Sequence, residues 1–494
     1  MGAPVQLELA ERVAQNVFLQ QYHLHNRTEF NIVETEIIKH EGTNLIYLFH
    51  LNPKGFILVP ADDHAVPMLG FGFDHNFKTD NMPVTLQSLM NQYKTEMIAH
   101  MNNSNEAQPE IQSQWDGYLS GHYEPVRDRY VTPLLSAEFD QSGSWNNGVT
   151  SAIGFTGPVG CVAVAMCQIM HYWGYPETGQ GSNYYFEDDY GYLEVNFEDA
   201  YYDFNSMAAT YATSSSQLLL YHAGVAVNMD YDHSGSGAWV VGNYPSAFYA
   251  MENFFTYSSD MDYEWKDNHS TTEFRNLLKN EIDNNRPVIY QGYDNGGYGG
   301  HAWNIDGYSG NNLHCNWGWG GYNNGYFNLN TMGGFPNDQA AIYNLMPQME
   351  APVALFEYEI SDLTVSFTDL SGMINEVDIY SWLWDFGDGS SSSSVSPVHT
   401  YAVGGQYEVS LIVSNNFGMQ SQPHTEIIQL GVTGMPGDVN EDEVLNILDI
   451  VIVVNFVLGA DSPSANEFSL ADLNGDGVLN ILDIVTLTNL ILDS

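Results

Sequence analysis

Cys161 is the residue whose type and position most clearly indicate chemistry. It follows the turn-forming stretch Phe155–Gly160 and begins a predicted helix, Cys161–Trp173. The positive end of a helix dipole favours the thiolate form of a cysteine, which is its nucleophilic form. Most free cysteines, however, are small buried hydrophobes, so Cys161 alone leaves packing and chemistry equally open.

A nucleophilic thiol needs a base, a group that orients the base, and donors for the oxyanion. His301 follows a glycine-rich loop and begins a predicted apolar strand, Ala302–Tyr308. Its distance of 140 residues from Cys161 falls within the roughly 130–150 residues typical of papain-like chains. Asn316 can accept the imidazole N–H and fix the tautomer, and Gln141 can donate its amide to the oxyanion.

The remaining cysteines and histidines are weaker candidates. Cys167 lies on another face of the helix from Cys161, and Cys315 points away from Asn316 along its strand. We therefore expect both cysteines to be structural and His314 to be a packed histidine. Three cysteines make no disulfide framework, the histidines are too scattered for a zinc site, and no glycine-rich phosphate loop precedes a lysine.

A repeat near the C-terminus carries a second set of candidate ligands. Side-chain oxygens stand at positions 1, 3, 5, 9 and 12 of two 12-residue loops, which are offset by 34 residues and precede apolar helices. The pattern suits Ca²⁺, which takes six to eight oxygens, with a backbone carbonyl at position 7 as a further ligand. Gly477 occupies the sharp-turn position of loop two, whereas Glu443 in loop one predicts less regular geometry and lower affinity. The predicted ligands of two Ca²⁺ ions are Asp438, Asn440, Asp442, Val444, Asn446 and Asp449, and Asp472, Asn474, Asp476, Val478, Asn480 and Asp483.

Residues 438–494 resemble the dockerin type I family, because the loops are in tandem and carry Asp at position 12. The resemblance implies docking to a cohesin through Ile447, Leu448, Ile481 and Leu482. These residues are identical in the two repeats, which implies two symmetry-related docking modes.

Residues 351–431 contain short alternating strands separated by turns, which predict a small β-sandwich. They resemble the PKD family, which implies an Ig-like spacer or binding module without chemistry. We expect Asp385 and Asp388 to cap turns and not to bind metal. The resemblance rests on Trp382–Gly389, Ser396–Tyr401 and Gly405–Val409.

The stretches around the candidate catalytic residues resemble the streptopain family of cysteine peptidases (C10), and the resemblance covers about residues 1–347. It implies a papain-like fold, secretion as a zymogen, and endopeptidase activity favouring a hydrophobic residue at P2. It also implies that Cys161 is the nucleophile, His301 the base, Asn316 the orienting group and Gln141 the oxyanion donor, and that the prodomain displaces His301 before activation. The resemblance rests on Gly157–Met170, Asn228–Tyr231, Ser234–Ala238, Gly300–Gly307, Asn316–Gly321, Gly55–Asp63 and Pro67–Phe71. The substrate groove that it implies is formed by Met229, Asp230, Ser234, Gly235, Ser236, Gly300, Trp317 and Trp319.

These sites require several domains to position them. In the first domain we expect an amphipathic N-terminal helix around Ala10–Phe18, the strands Leu45–Phe49 and Phe56–Pro60, and a loop or helix end at Met101–Gln112. The expected fold class is multidomain, and its parts are as follows: an α+β prodomain (1–128), a papain-like α+β peptidase domain (129–349), an Ig-like β-sandwich or PKD domain (350–432), and a small all-α calcium-binding dockerin (436–494).

The net charge of −49 arises from a shortage of basic residues, since Lys and Arg total 12 against 61 Asp and Glu. Such a surface repels nucleic acid and anionic membranes. No stretch approaches the roughly 18 apolar residues of a membrane helix, and residues 1–20 lack the apolar region of a signal peptide. We expect polypeptide substrates, a cohesin-type partner, no nucleic acid, no membrane insertion, a monomer, and an extracellular or cell-surface location.

The sequence therefore predicts a secreted zymogen of a cysteine endopeptidase that needs no cofactor for catalysis and carries a calcium-dependent docking module. Two alternatives remain: the same residues could run another acyl transfer, of glutaminase or transglutaminase type, or the protein could be an interaction module with an idle catalytic domain. Arg127 and Arg129 lie at the expected prodomain boundary, and residues 287–494 contain no Lys or Arg. A trypsin-like protease could thus activate the zymogen without cutting the C-terminal modules.

Overall fold

The structure is a computed structural model of the chain, in which two compact units, Met1–Gln348 and Met349–Ser494, can be distinguished. The first two predicted domains belong to the first unit, and the last two to the second. The predicted boundaries at 128/129 and 349/350 and residue 432 lie outside the described residues. The residues that the structure describes are 4–25, 28–80, 84–102, 108–122, 130–294, 299–329, 335–348, 351–372, 379–415, 419–431 and 434–493.

The N-terminal part of the first unit packs helices against a strand meander. The predicted amphipathic helix is present, and its apolar stripe from Ala10 to Phe18 is buried. The predicted strands are present as well. The elements are α1 (Leu7–Gln21), β1 (Ile32–His40), β2 (Thr43–Leu51), β3 (Phe56–Pro60), β4 (Gly70–Gly72), α2 (Val84–Asn102) and α3 (Pro109–Ser120).

The predicted helix end within Met101–Gln112 is present, since α2 ends at Asn102, but a further helix, α3, begins in the same stretch at Pro109. Pro109 stands in the first turn, where proline is tolerated, and Gly121 ends the helix in a left-handed conformation. Ile111, Tyr118 and Leu119 of this largely polar helix pack half-buried against the core, and one side chain is fully buried. That side chain is the buried Trp115, whose indole N–H donates to the Ala65 carbonyl oxygen at 2.8 Å.

The peptidase part of the first unit combines helices with the greater part of a large antiparallel sheet. Its elements are β5 (Tyr130–Val131), α4 (Asn147–Ile153), α5 (Cys161–Trp173), β6 (Ser182–Glu187), β7 (Gly191–Asn196), α6 (Ser214–Ala226), α7 (Ala247–Asn253), β8 (Asp262–Trp265), α8 (Thr271–Asp283), β9 (Val288–Tyr293), β10 (Gly300–Ser309), β11 (Asn312–Asn316), β12 (Gly325–Asn328) and β13 (Asn337–Tyr343).

One sheet joins the two parts of the first unit. Its strand order is β1-β2-β3-β4-β12-β11-β10-β9-β13-β8, and β5 pairs with one end of β10. The junction is the β4–β12 pair, in which Gly70 lies opposite Phe327 and Phe71 opposite Tyr326. A Cβ at Gly70 would lie 2.5 Å from the Phe327 ring, so the absence of a side chain permits this approach. The hydrophobic core crosses the same junction, with Leu58 and Phe327 in one buried cluster.

Helix α5 lies at the centre of the peptidase part and packs on β10 and α6. Nearly all of its residues are buried, as expected for a helix that is apolar on every side. It ends at Gly174, which adopts the left-handed conformation with φ +60. The sequence predicted both bounds of this helix.

The second unit contains a β-sandwich and a group of short helices. A three-stranded sheet, β14-β15-β18, and a four-stranded sheet, β17-β16-β19-β20, enclose a core that includes Phe367, Trp384 and Tyr401. The elements are β14 (Phe356–Ser361), β15 (Thr364–Asp369), β16 (Ile379–Asp385), β17 (Ser391–Ser392), β18 (Val398–Thr400), β19 (Gly405–Asn415), β20 (His424–Leu430), α9 (Ile447–Val457), α10 (Ala465–Ala471) and α11 (Ile481–Asp493).

The predicted turn caps in the β-sandwich are present. Asp385 accepts a hydrogen bond from the Gly387 N–H and Asp388 from the Ser390 N–H, both at 2.9 Å. Among the described residues, no helix has both the length and the apolarity needed to cross a bilayer.

Candidate active site

Cys161 is the first residue of α5, and its neighbours hold the chain there. Gly160 precedes it with φ +99, a conformation that favours glycine. A Cβ at Gly160 would lie 2.6 Å from the Met229 side chain, so the packing also leaves no space for one. The Ser236 hydroxyl donates to the Pro158 carbonyl oxygen at 2.5 Å. These contacts fix the start of the helix.

The Cys161 thiol is buried. Its Sγ accepts a hydrogen bond from the Ala302 N–H at 3.4 Å. Burial raises the pKa of this thiol, and the effect outweighs the opposing influence of the backbone N–H groups of Ala302, Cys161 and Val162. The helix N-terminus that favours a thiolate is therefore present, but desolvation keeps the thiol protonated in this state.

His301 is the second residue of β10, and its imidazole bonds to a backbone carbonyl. Nε2 lies 3.0 Å from the carbonyl oxygen of Trp317. Because that oxygen can only accept, Nε2 carries the proton and Nδ1 holds a lone pair. Nδ1 is buried and has no hydrogen-bond partner among the described residues.

The His301 ring lies within an aromatic cluster. Its centroid is 5.0 Å from that of Trp319, 5.6 Å from that of Phe335 and 5.8 Å from that of Trp303. Burial lowers the pKa of His301 to about 3, although the bond to the Trp317 carbonyl opposes this effect. A protonated thiol and a neutral imidazole do not form the charged pair that a cysteine peptidase requires.

Asn316 ends β11, and in this state it does not bond to His301. Its Oδ1 accepts from the Gln168 amide at 3.1 Å and from the Gly318 N–H at 3.3 Å, while its Nδ2 donates to the Ala137 carbonyl at 2.9 Å. Both lone pairs of Oδ1 therefore already have donors. The His301–Asn316 hydrogen bond predicted from the sequence is absent here, and the imidazole N–H bonds to the carbonyl of the next residue instead.

A cavity of about 660 Å³ lies in front of Cys161 and His301. Gln141 also lines it, as do the predicted groove residues Asp230, Ser234, Gly235, Ser236 and Gly300.

Three other predicted groove residues do not line this cavity. Trp317 and Trp319 are buried in the aromatic cluster, and Met229 is buried against Gly160. They are packed away from the cavity in the latent structure, and their contact with substrate stays a prediction.

The N-terminal part contacts the connection between β11 and β12, which contains Trp317. Outside this connection, the N-terminal part also bonds to the peptidase part through His75 and Glu138, which are 2.9 Å apart, and this bond is the main cause that lowers the pKa of the Glu138 carboxyl. The Lys78 N–H donates to Asn323 Oδ1 at 3.2 Å, and the Lys78 ammonium lies 3.1 Å from the centroid of the Tyr322 ring. The segment after β4 thus holds the loop that supplies the carbonyl partner of His301.

The structure also identifies residues that the sequence reasoning missed. Gln168 and Asn304 lie between α5 and the sheet and bond to each other at 2.8 Å. The spacing of seven residues between Cys161 and Gln168 was an available signal, because it places both on one helix face. No local pattern could predict the pair of His75 and Glu138, which are 63 residues apart.

The remaining reactive residues pack away from the cavity. Cys167 and Cys315 are buried and unpaired, and burial raises the pKa of each thiol well above its ordinary value. His314 is buried as expected, with Nδ1 2.6 Å from the Asp306 carboxylate.

The two predicted calcium loops share one hydrogen-bond pattern. The position-12 carboxylates, Asp449 and Asp483, are fully buried and accept backbone N–H groups of their own loops. Asn446 caps α9 by accepting the Leu448 N–H at 2.8 Å, and its Nδ2 donates to the Val444 carbonyl at 3.0 Å. Each loop thus gathers carboxylate, amide and carbonyl oxygens of the kind that Ca²⁺ prefers.

The loops differ in their turn residues. Both have left-handed residues at positions 4 and 6, which are Gly475 and Gly477 in loop two but Glu441 and Glu443 in loop one. The two loops therefore turn in a similar way, and loop one differs in the backbone strain of its two left-handed glutamates.

The residues predicted to contact a cohesin are all solvent-exposed. Their exposed fractions are 70% for Ile447, 57% for Leu448, 68% for Ile481 and 58% for Leu482. Apolar side chains exposed to this extent near the starts of α9 and α11 are typical of an interaction surface.

A cysteine at a helix start, a histidine on a strand packed against that helix, and an N-terminal domain joined to the same sheet are features expected of a cysteine peptidase that retains its prodomain. Comparison with protein families agrees. Residues 139–327 match the Peptidase C10 family, 2–97 the Spi protease inhibitor family, 350–429 the PKD domain and 436–492 the Dockerin type I domain.

The chain is also similar to individual known proteins. The chain is 27% identical over 388 residues to the thiol protease/hemagglutinin PrtT of Porphyromonas gingivalis, and the match covers 71% of this chain but only 43% of PrtT. It is 27% identical over 340 residues to streptopain of Streptococcus pyogenes, covering 62% of this chain and 81% of streptopain. A solved structure of a Prevotella intermedia prointerpain A fragment superposes with a TM-score of 0.49 and 22% identity, over 64% of this chain and all of that fragment.

The chain therefore carries a cysteine peptidase domain of the C10 family, preceded by an inhibitor-type prodomain and followed by PKD and dockerin type I domains. The domain types and the multidomain fold class predicted from the sequence are confirmed.

Proposed function

We propose that this protein is the latent form of a cysteine endopeptidase that acts through Cys161, His301 and Asn316. The observation that carries the proposal is that Cys161, at the start of α5, and His301 line one cavity. Gln141 lines the same cavity, and we assign its amide as a donor to the oxyanion beside the Cys161 N–H.

The reaction would follow the usual course of acyl transfer to a thiol. His301 Nδ1 takes the Cys161 proton, and Sγ bonds to the peptide carbonyl carbon while an electron pair moves to oxygen. The tetrahedral intermediate collapses, and the C–N bond breaks as the imidazolium gives its proton to the leaving amine. Water, deprotonated by His301, then breaks the thioester, which releases the carboxylate and restores the thiol.

Latency follows from the position of His301. With Nε2–H on the Trp317 carbonyl, the ring is held in the aromatic cluster and stays neutral. The prodomain supports this arrangement, because β4 pairs with β12 and the segment after β4 bonds to the β11–β12 connection. Removal of the prodomain would free this connection, so that His301 can exchange the Trp317 carbonyl for Asn316 Oδ1.

Specificity for a hydrophobic residue at P2 is consistent with the cavity wall. This wall includes the apolar side chains of Val227, Ala238 and Val240. The acidic residue among the described lining residues is Asp230. Polypeptides are therefore the substrate class that we assign.

The C-terminal module would bind two Ca²⁺ ions through the loop residues predicted from the sequence. The bound ions would stabilise the loops that begin α9 and α11. The exposed residues Ile447, Leu448, Ile481 and Leu482 would then dock on a cohesin-type partner. Such a module, together with an unpaired reactive cysteine held latent, suits an extracellular or cell-surface protein.

The activity can be tested with the chain freed of its prodomain. A peptide substrate is added once alone and once together with an amine acceptor. We expect hydrolysis, complete loss of it in Cys161→Ala, and near-normal activity in Cys167→Ala, which removes a buried thiol from the same helix. Conjugation of the amine in place of hydrolysis would indicate a transferase. Full activity of Cys161→Ala would refute the proposal.

A further inference from the structure

Gln168 is a fully buried polar side chain on the same face of α5 as Cys161. The two residues are seven positions apart, which corresponds to about 700° of helix, so their side chains point in nearly the same direction. Burying an amide is unfavourable unless its hydrogen bonds are made. The partners of Gln168 therefore indicate what this residue does.

Gln168 joins two asparagines that face each other across the β10–β11 pair. Its Oε1 accepts from Asn304 Nδ2 at 2.8 Å, and its Nε2 donates to Asn316 Oδ1 at 3.1 Å. Asn304 and Asn316 are themselves register partners in the two strands. The three side chains form one buried row of amides, which we call the amide relay.

Backbone carbonyls set the direction of the amide relay at both ends. Asn304 Nδ2 also donates to the Ala165 carbonyl at 3.1 Å, and Asn316 Nδ2 donates to the Ala137 carbonyl at 2.9 Å. A carbonyl oxygen can only accept, so each NH₂ group must face its carbonyl. The orientation of all three amides follows, and Asn316 is left with its oxygen directed away from Ala137.

We propose that Gln168 is a positioning residue for the peptidase reaction, which keeps the Asn316 oxygen available to the His301 imidazole. The inference rests on the function proposed above for Cys161, His301 and Asn316. Among the two donors on Asn316 Oδ1, the Gly318 N–H is the more distant, at 3.3 Å against 3.1 Å for Gln168. His301 Nε2–H would take the place of the Gly318 N–H, while the Gln168 bond persists.

The amide relay would affect catalysis because a flipped Asn316 amide places its NH₂ group, in place of its oxygen, opposite the His301 N–H. His301 would then have no acceptor, its tautomer would no longer be fixed, and the imidazolium formed during the reaction would lose a stabilising bond. Gln168 opposes the flip together with the Ala137 carbonyl, since its Nε2–H and the NH₂ of Asn316 would repel in the flipped arrangement.

The test compares Gln168→Met with the wild type, both as full-length chains activated by the same route. Methionine matches the length of glutamine but cannot hydrogen-bond. We expect kcat for a short peptide to fall roughly tenfold to a hundredfold, the range found when a residue that orients a metal-ligating side chain is removed. KM should stay unchanged, and the alkaline limb of the pH profile of kcat/KM should move to lower pH, because the imidazolium is less stabilised.

A double substitution separates positioning from general stability. In an Asn316→Ala background, Gln168→Met should cause no further loss of kcat, since it acts through Asn316. His171→Phe is the matched control, because it removes a 3.2 Å bond from α5 to the Met207 carbonyl outside the relay. It should leave kcat and the pH profile unchanged.

The outcomes are distinguishable. If Gln168→Met does not fold, Asn304→Ser removes the outer donor of the relay and should show the same changes to a smaller extent. Unchanged kcat and pH profile in the folded variant, or losses that add fully to those of Asn316→Ala, would overturn the inference. A normal kcat in Asn316→Ala would instead refute the proposed function.

Discussion

At the scale of residues, latency depends on which oxygen receives one imidazole proton. Nε2–H of His301 bonds to the Trp317 carbonyl, although the Asn316 oxygen predicted to accept it belongs to the preceding residue. The same ring position lowers the pKa of His301, and burial raises that of Cys161. Both groups are therefore uncharged, and under the proposed mechanism the site then lacks both a thiolate nucleophile and an imidazolium acid.

The protonation of His301 can be tested by NMR. Burial lowers its pKa in the latent chain to about 3, so its Cε1–H resonance should not titrate between about pH 5 and 8. A ring released from the cluster has an ordinary pKa near 6.5, so between pH 3 and 6.5 it binds more protons than the buried ring does. Latent-state stability from this group is therefore complete above pH 6.5 and decreases as the pH falls toward 3, by at most about 1.4 kcal/mol per pH unit.

The resonance would be assigned by its loss in His301→Gln. A midpoint near 6.5 in the latent chain would contradict the buried, neutral imidazole. After prodomain removal we expect the midpoint to rise, because the ring gains the Cys161 thiolate as a partner.

The sequence could predict the identities of the candidate catalytic residues but not their state. The spacing of His301 and Asn316 from Cys161 matches papain-like chains, and a papain-like fold places these three residues close together. It contains no information on whether the Trp317 carbonyl or Asn316 accepts the imidazole proton, because that depends on the aromatic cluster and on a prodomain contact from residues more than 240 positions away. Lys78 and Asn323 form such a contact.

At the scale of elements, the calcium loops differ in the strain of their turns. Glu441 and Glu443 adopt the left-handed conformation with φ +57 and +64, where loop two has Gly475 and Gly477. A left-handed residue other than glycine costs roughly 1–2 kcal/mol. An ion must hold the loop in this conformation, so the strain reduces the affinity of loop one.

Replacing Glu443 with glycine should therefore strengthen the first calcium site. A gain of about 1 kcal/mol corresponds to roughly fivefold tighter binding, which calorimetric titration of the full chain with Ca²⁺ would measure. The reciprocal substitution Gly477→Glu should weaken the second site by a similar factor. Unchanged affinities in both variants would show that strain in the left-handed turns does not determine the Ca²⁺ affinity of the loops.

The short strand β4 is the element that attaches the prodomain to the peptidase sheet. A Cβ at Gly70 would lie 2.5 Å from the Phe327 ring, so Gly70→Ala should weaken the pairing with β12. Overpacking costs roughly 1–3 kcal/mol. We expect the activation rate of the latent chain to increase about tenfold, measured by release of peptidase activity over time.

The control for this prediction is Gly42→Ala. Gly42 has φ +84 in a prodomain turn and nothing within 4 Å of an added Cβ, so it perturbs the backbone without touching the junction. Equal acceleration in both variants would mean that general prodomain instability, and not the β4–β12 pair, controls activation.

At the scale of the whole molecule, the distribution of basic residues predicts where a trypsin-like protease can act. Residues 287–494 contain no Lys or Arg, and the four basic residues between 130 and 286 are Lys266, Arg275, Lys279 and Arg286. Lys279 is buried, and Arg286 is held by Glu281 at 2.7 Å. Arg127 and Arg129 lie outside the described residues, and they remain the predicted activation sites.

Limited trypsin digestion followed by N-terminal sequencing tests this prediction. We expect a new terminus at 128 or 130, together with intact PKD and dockerin domains. A first cut elsewhere, or activation without any new terminus in this region, would contradict it and favour self-cleavage.

The domain order was predictable because each domain carries its own local motifs. The joining of two domains through one sheet was not. Strand β4 has only three residues, and its partner β12 lies about 250 positions later, so neither periodicity nor spacing indicates the pair. Helix α3 was missed because its sequence is largely polar, and its fully buried side chain, Trp115, bonds to a residue 50 positions earlier in the chain.

The most direct test of a latent Cys161 nucleophile is alkylation with an epoxide of the E-64 type, with the modified cysteine identified by mass spectrometry. The full-length chain and the chain freed of its prodomain are labelled side by side. We predict that Cys161 reacts only after prodomain removal, and that Cys167 and Cys315 stay unmodified in both forms. Labelling of Cys161 at equal rates before and after removal, or labelling of another cysteine in its place, would contradict this account.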